Sequence, residues 1–121
     1  ITALEGNGQL ERVTWRARDG ERESRDIGHV FLMTGAVPNA RWLQGWVALD
    51  DKGFVRTGSD LTAEDLAATR WPLARAPYLL ETNRPGIFAV GDVRAGSIKR
   101  VAAAVGEGST AVQFVHRALQ E

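Results

Sequence analysis

The sequence predicts an α/β chain: an antiparallel β-meander, then strand, loop and strand, closed by a long C-terminal helix. Three observations carry this. Residues Glu11 to Arg18 alternate apolar and polar side chains, the period of a half-buried strand. The short apolar runs His29 to Met33 and Ile87 to Val90 are bounded by turn residues, as buried strands are. Beyond Ser97, Val101, Val105, Val112, Val115 and Leu119 recur at helical spacing.

Taken in order, Val13, Trp15 and Ala17 fall on one face of the first strand, opposite Arg12, Thr14, Arg16 and Arg18. Asp19-Gly20 tolerates positive φ and turns the chain. A polar return strand follows from Glu21 to Asp26, and the run His29 to Met33 completes the meander. Gly35 and Pro38 then mark a domain crossover within Thr34 to Asn39. Gly53 to Gly58 reads as another short strand. Thr62 to Ala68 reads as a helical turn or two, with Thr62 as N-cap and Asp65 at the capping-box position. Pro72 and Pro77 make Trp71 to Thr82 a loop. Pro85-Gly86 turns into the strand Ile87 to Val90, and Gly91-Asp92 ends it. Ser97 is the expected N-cap of a helix from about Ile98 to Leu119.

Bulk composition narrows the function. In 121 residues, Lys plus Arg and Asp plus Glu each number 15. A neutral chain argues against a nucleic-acid partner or an anionic membrane surface. No apolar run is long enough to span a bilayer, and the start ITALEGNG has no signal-peptide pattern; a cytoplasmic setting is expected. Cysteine is absent and the two histidines are far apart, so neither a disulfide nor a metal site is expected.

The chemistry concentrates in PGIFAVGDVRAGSIKRVAAAVGEG, residues 85–108. Asp92 ends a strand where open α/β sheets bind ligands, and a carboxylate accepts hydrogen bonds from a hydroxyl-rich ligand. Read without a ligand, Gly-Asp is ordinary turn chemistry. Lys99 and Arg100 fall in the expected first helical turn, where the macrodipole disfavours cations. They imply a nearby negative group, or else bend into solvent. Gly106 and Gly108 each cost about 1 kcal/mol in a helix, which suits close approach of a neighbour.

The run Thr82-x-x-Pro85-Gly86-Ile87-Phe88-Ala89-Val90-Gly91-Asp92 resembles the second FAD-binding motif of thioredoxin-reductase-like, pyridine-nucleotide-dependent flavoproteins. The run Val30 to Asn39 resembles their apolar strand and Gly-x-x-Pro-Asn crossover, and the meander resembles the ribbon that closes their NAD(P)H domain. The resemblance implies the C-terminal part of a two-domain Rossmann-like flavoprotein. Residues 1–38 would be the meander of the NAD(P)H-binding domain and 39–121 part of the FAD-binding domain. It implies FAD contacts from Gly91, Asp92, Lys99, Arg100, Val101 and Ala102. Asp92 would hold the ribityl chain, and the helix N-terminus would face the pyrimidine edge of the isoalloxazine. Here Val101 stands where thioredoxin reductases commonly carry glutamine, and the connection Gly58 to Glu81 is longer than theirs.

The Gly-x-Gly-x-x-Gly loops for FAD and NAD(P)H, and a Cys-x-x-Cys, are absent from these residues. The expected partners are therefore an N-terminal half of the same polypeptide, a second copy in a homodimer, and a redox protein as acceptor. The expected activity passes electrons from NAD(P)H through FAD to a disulfide, with no covalent catalyst here and no activity of these residues alone. Alternatives are an NAD(P)H reductase for ferredoxin, flavodoxin or quinone, and a non-catalytic docking module.

Overall fold

A computed structural model describes all residues from Ile1 to Glu121. The chain divides into two units, Ile1–Gly35 and Ala36–Glu121. In the first, β1 (Ala3–Glu5), β2 (Arg12–Arg16) and β3 (Arg22–Asp26) form an antiparallel sheet in that order. The alternation in β2 sets the register: Val13 opposes Arg25 and Trp15 opposes Glu23 on one face. Val13 is buried, and the Arg25 guanidinium lies 5.6 Å from the Trp15 ring centroid. On the other face the hydroxyls of Thr14 and Ser24 meet at 2.6 Å. Asp19-Gly20 forms the turn, with Gly20 at φ 91° and the Glu21 N–H donating to Asp19 Oδ1. β1 adds a third strand that the sequence pattern does not announce, because three residues are too few to show a period.

The run His29 to Met33 is not a buried strand. It has no regular structure, and Phe31 and Met33 are 82% and 89% exposed. An all-apolar strand is a central one and needs neighbours to take its backbone hydrogen bonds. No segment of this chain pairs with it.

In the second unit the expected strands shrink to single bridges. Val55, almost wholly buried, bridges Leu49 antiparallel and Arg94 parallel. Its N–H donates to the Val93 carbonyl at 2.9 Å, and its carbonyl accepts the Ala95 N–H at 2.8 Å. Ile87 to Val90 likewise contributes only the Glu81–Phe88 bridge. The turn before it forms at Pro85-Gly86, with Gly86 at φ 74°.

Helix α1 (Ala63–Ala68) has the full capping box that the sequence implies. The Asp65 N–H donates to Thr62 Oγ1 at 3.1 Å, and the Thr62 N–H donates to Asp65 Oδ2 at 2.9 Å.

Helix α2 (Val101–Ala118) starts later than the sequence suggests. Arg100, not Ser97, is its N-cap residue, extended at φ −145° and ψ 142° and giving no side-chain cap. The Ser97 hydroxyl instead donates to the Arg94 carbonyl at 3.0 Å, a local bond that competes with capping. Lys99 and Arg100 accordingly stand outside the first turn. The valine stripe is not the packed face: Val101, Val105 and Leu119 are 83%, 67% and 78% exposed. The helix packs through Ala104, Glu107, Ala111 and Phe114, because small side chains let its axis approach the turn carrying Gly91. Within this chain Gly106 and Gly108 meet no close neighbour, so close packing there does not occur.

The loop Trp71 to Thr82 is ordered around a buried carboxylate. Glu81 is completely buried. It accepts from Arg75 Nη1 at 2.7 Å, the Tyr78 N–H at 2.9 Å and the Gly86 N–H at 2.8 Å. Arg75 also reaches Glu121 at 2.6 Å and sits 3.9 Å from the Tyr78 ring centroid. Tyr78 stacks on Phe114 of α2 with centroids 5.2 Å apart. Removing Arg75 leaves Glu81 a buried charge without its counter-ion, which costs about 3 kcal/mol; removing the Thr62 cap costs about 1 kcal/mol. Denaturant titrations of Arg75→Ala and Thr62→Ala should rank in that order.

Candidate cofactor site

The site is built by a tight turn held against the start of α2. Gly91 opens a single 3-10 turn, Gly91–Val93, at φ 68°, a region unfavourable to other residues. A Cβ at Gly91 would stand 3.1 Å from the Ala104 Cβ, so this position is closed to side chains twice over. The turn is fastened by a residue on α2. Glu107 Oε2 accepts the Gly91 N–H at 2.7 Å and Arg94 Nε at 3.2 Å, while Oε1 accepts Arg94 Nη2 at 2.5 Å.

This carboxylate is largely shielded, with 18% of its side chain exposed against 15% for Arg94. The hydrogen bond from Arg94, and after it that from the Gly91 N–H, holds Glu107 below the ordinary carboxylate range, against the opposing effect of burial. The same contact raises Arg94 above its usual value.

Four of the six residues assigned from sequence come together. Asp92, Lys99, Arg100 and Val101 line one cavity of about 400 Å³, with Ala104 and Val105 completing its wall. The Asp92 side chain is exposed and in no ion pair or hydrogen bond of the chain. Lys99 is held in place: its ammonium donates to Ser97 Oγ at 2.7 Å and to the Arg94 carbonyl at 3.1 Å, and lies 4.3 Å from the Phe54 ring centroid. Arg100 donates only to the Lys99 carbonyl. The N–H groups of Val101, Ala102 and Ala103 open the helix and have no intrahelical acceptors. Gly91 is buried beneath the turn and Ala102 is exposed beside the cavity, so neither lines it.

The arrangement presents an acceptor, a fixed cation and a helix end of partial positive charge to one small volume. A polar ligand with hydroxyl donors and an electron-rich edge suits that set. A larger cleft of about 450 Å³, lined in part by Pro38, Arg41, Leu49 and Lys52, contains none of these groups. No helix is long and apolar enough to cross a membrane.

Sequence reasoning misses Glu107 and Arg94. One signal is present: Glu107 shares its helix face with Ala104 and Ala111, and a carboxylate on a small-residue, packed face must find a cation or donors.

No protein-family model matches the chain. It is similar to thioredoxin reductase of Listeria monocytogenes, 29% identical over 85% of this chain and 26% of that protein. It is also similar to alkyl hydroperoxide reductase F of Pseudomonas aeruginosa, 32% identical over 89% of this chain and 18% of that protein. Among solved structures, Lactococcus lactis thioredoxin reductase matches 95% of this chain and 32% of its own, at a TM-score of 0.61 and 26% identity. The chain thus spans about a quarter of the first of these relatives. The backbone likeness and the sequence likeness point to the same set of proteins. Over most of its length the chain is thioredoxin-reductase-like in sequence and backbone.

Two outcomes follow from the turn. Gly91→Ala combines positive φ with a clash and should destabilise by about 1 kcal/mol or more, whereas at Gly86, also at positive φ but with nothing within 4 Å, alanine should cost less; denaturant midpoints measure both. Because the folded state depresses the Glu107 pKa, its contribution is complete above the ordinary glutamate value of about 4.3 and is lost as pH falls through the folded value. Melting temperature between roughly pH 3 and 6 should therefore fall less on acidification in Glu107→Gln than in the unmodified protein.

Proposed function

We propose that this chain is the C-terminal segment of a two-domain Rossmann-like flavoprotein that passes electrons from NAD(P)H through FAD to a disulfide. Residues 39–121 form part of its FAD-binding domain, and 1–38 the closing meander of its NAD(P)H-binding domain. The observation that carries this reading is the gathering of an unpaired Asp92 carboxylate, the anchored Lys99 and the α2 N-terminus around one cavity. Its supporting context is the likeness to thioredoxin reductases and the fraction of those relatives that the chain spans.

The donor set fits one section of FAD. Asp92 accepts from ribityl hydroxyls, and its ionised form gives charge-assisted bonds. The N–H groups of Val101 and Ala102 face the pyrimidine edge, where the positive helix end favours negative charge. Lys99 adds a cation fixed by its own bonds to Ser97 and Arg94, and Arg100 adds a second. Gly91 supplies the turn. The cavity is too small for a whole dinucleotide, so the remaining contacts come from other parts of the polypeptide, as does any dithiol, since these residues contain no cysteine. Bound FAD supplies the capacity to accept a hydride and release electrons singly or in pairs. The chain's own residues bind and orient it, and none reacts covalently.

The exposed apolar residues Phe31, Leu32 and Met33, with the valine stripe of α2, are surface for the rest of the polypeptide or a second copy in a homodimer to cover. A redox protein is the acceptor.

The test is FAD titration of the full-length gene product by flavin fluorescence. Losing a hydrogen bond to a charged group costs about 1.5–3 kcal/mol, so Asp92→Ala should weaken FAD binding about 10- to 100-fold. Unchanged affinity would place the flavin elsewhere.

A further inference from the structure

Arg75 carries more donors than its buried partner uses. A guanidinium holds five N–H groups in a fixed planar fork. Glu81, completely buried, takes one from Nη1 at 2.7 Å and one from Nη2 at 3.3 Å, and the Ala76 carbonyl takes another from Nη1 at 3.1 Å. The two that remain, on Nε and Nη2, form the outer edge of the fork. Both go to a single carboxylate, that of Glu121, at 2.6 and 2.9 Å. The Tyr78 hydroxyl lies 2.7 Å from the same group and donates to it. Three donors therefore converge on one acidic side chain, 43 and 46 residues along the chain from the residues that supply them.

These donors are fixed by contacts that do not involve Glu121. Glu81 holds the guanidinium from the inside, and the Tyr78 ring is stacked between it and Phe114, with separations of 3.9 and 5.2 Å. Trp71 Nε1 donates to the Arg75 carbonyl at 2.8 Å. Glu81 also balances the Arg75 charge, so Glu121 is not needed to neutralise a buried cation. The Glu121 side chain is 34% exposed and sits at the rim. We propose that Arg75 and Tyr78 form a carboxylate-binding site that Glu121 fills in cis, and that another carboxylate enters when Glu121 leaves. The bond from Arg75, and after it that from Tyr78, holds Glu121 below the ordinary carboxylate range, while Glu121 raises the Tyr78 phenol. Arg117 is a second cation whose charge acts on Tyr78, and it too favours a negative occupant. The site and the candidate cofactor cavity lie at opposite ends of α2, an 18-residue helix about 27 Å long. The inference therefore goes beyond the flavin reading and does not rest on it.

A simple surface ion pair disappears with Glu121, whereas a receptor remains and can be refilled. Acetate is the probe, since it is the end group of the glutamate side chain. The full-length gene product and its Glu121→Ala variant are labelled with fluorotyrosine, and the Tyr78 fluorine resonance is identified by its loss in Tyr78→Phe. Sodium acetate is titrated against sodium chloride at equal ionic strength, because salt alone screens exposed charges. In Glu121→Ala, acetate should move the Tyr78 resonance saturably. In the unmodified protein the same shift should need at least about tenfold more acetate, since the tethered carboxylate competes at high effective concentration. A C-terminally amidated peptide of residues 117–121 then separates the sources of the carboxylate. Half-saturation at about one-tenth of the acetate concentration identifies an acidic peptide segment as the ligand; half-saturation no lower than that of acetate identifies a small free carboxylate. No saturable shift in Glu121→Ala, or an equal response in the two proteins, would overturn the proposal. Neither result bears on FAD, whose titration tests the flavin reading separately.

Discussion

The contact on which the second unit depends is the three-pronged hold of Glu107 on the turn Gly91 to Arg94. One carboxylate on α2 takes a backbone N–H and two guanidinium nitrogens, joining the longest helix to the strand bridge at Val55 through Arg94. The closeness of Gly91 to Ala104 is possible because both residues are small. It is also necessary, since a longer separation would take Glu107 out of reach. Geometry at the turn and geometry at the helix start are therefore one constraint, and the candidate cofactor site lies where the two meet.

A second polar anchor orders what would otherwise be a long loop. Glu81, buried with Arg75 and two backbone donors, fixes the approach to the Pro85-Gly86 turn, while Asn83 accepts the Ala48 N–H and donates to the Asp65 carbonyl. This unit has few regular hydrogen-bonded elements, so buried side chains satisfy its backbone in place of a sheet. Glu81 and Asn83 act as structure, each with its partners met.

The sequence discloses local chemistry better than long-range packing. The Asp19-Gly20 turn, the Thr62 capping box and the β2 alternation all depend on neighbours within a few residues, and each reads directly from residue type. The cavity residues Asp92, Lys99, Arg100 and Val101 are legible together because they lie in one continuous run. Inferences that require a distant partner fail. His29 to Met33 has strand composition but no neighbouring strand in this chain. The valines of α2 have the right period, yet the helix packs through its alanines, since hydrophobic spacing says which residues share a face but not which face is covered. Ser97 has the chemistry of a cap and spends it on the Arg94 carbonyl. Glu107 stays hidden because its partners lie on a turn thirteen or more residues away.

On the function proposed above, the turn at Asp92 and the first turn of α2 are where a flavin would meet this chain. Hydrogen–deuterium exchange of the full-length gene product with and without FAD measures this at the residues concerned. The account predicts that FAD slows exchange at Gly91 to Val93 and at Val101 to Ala103, and leaves the meander Ala3 to Asp26 unchanged. Protection confined to other segments, with these two turns exchanging as before, would contradict it.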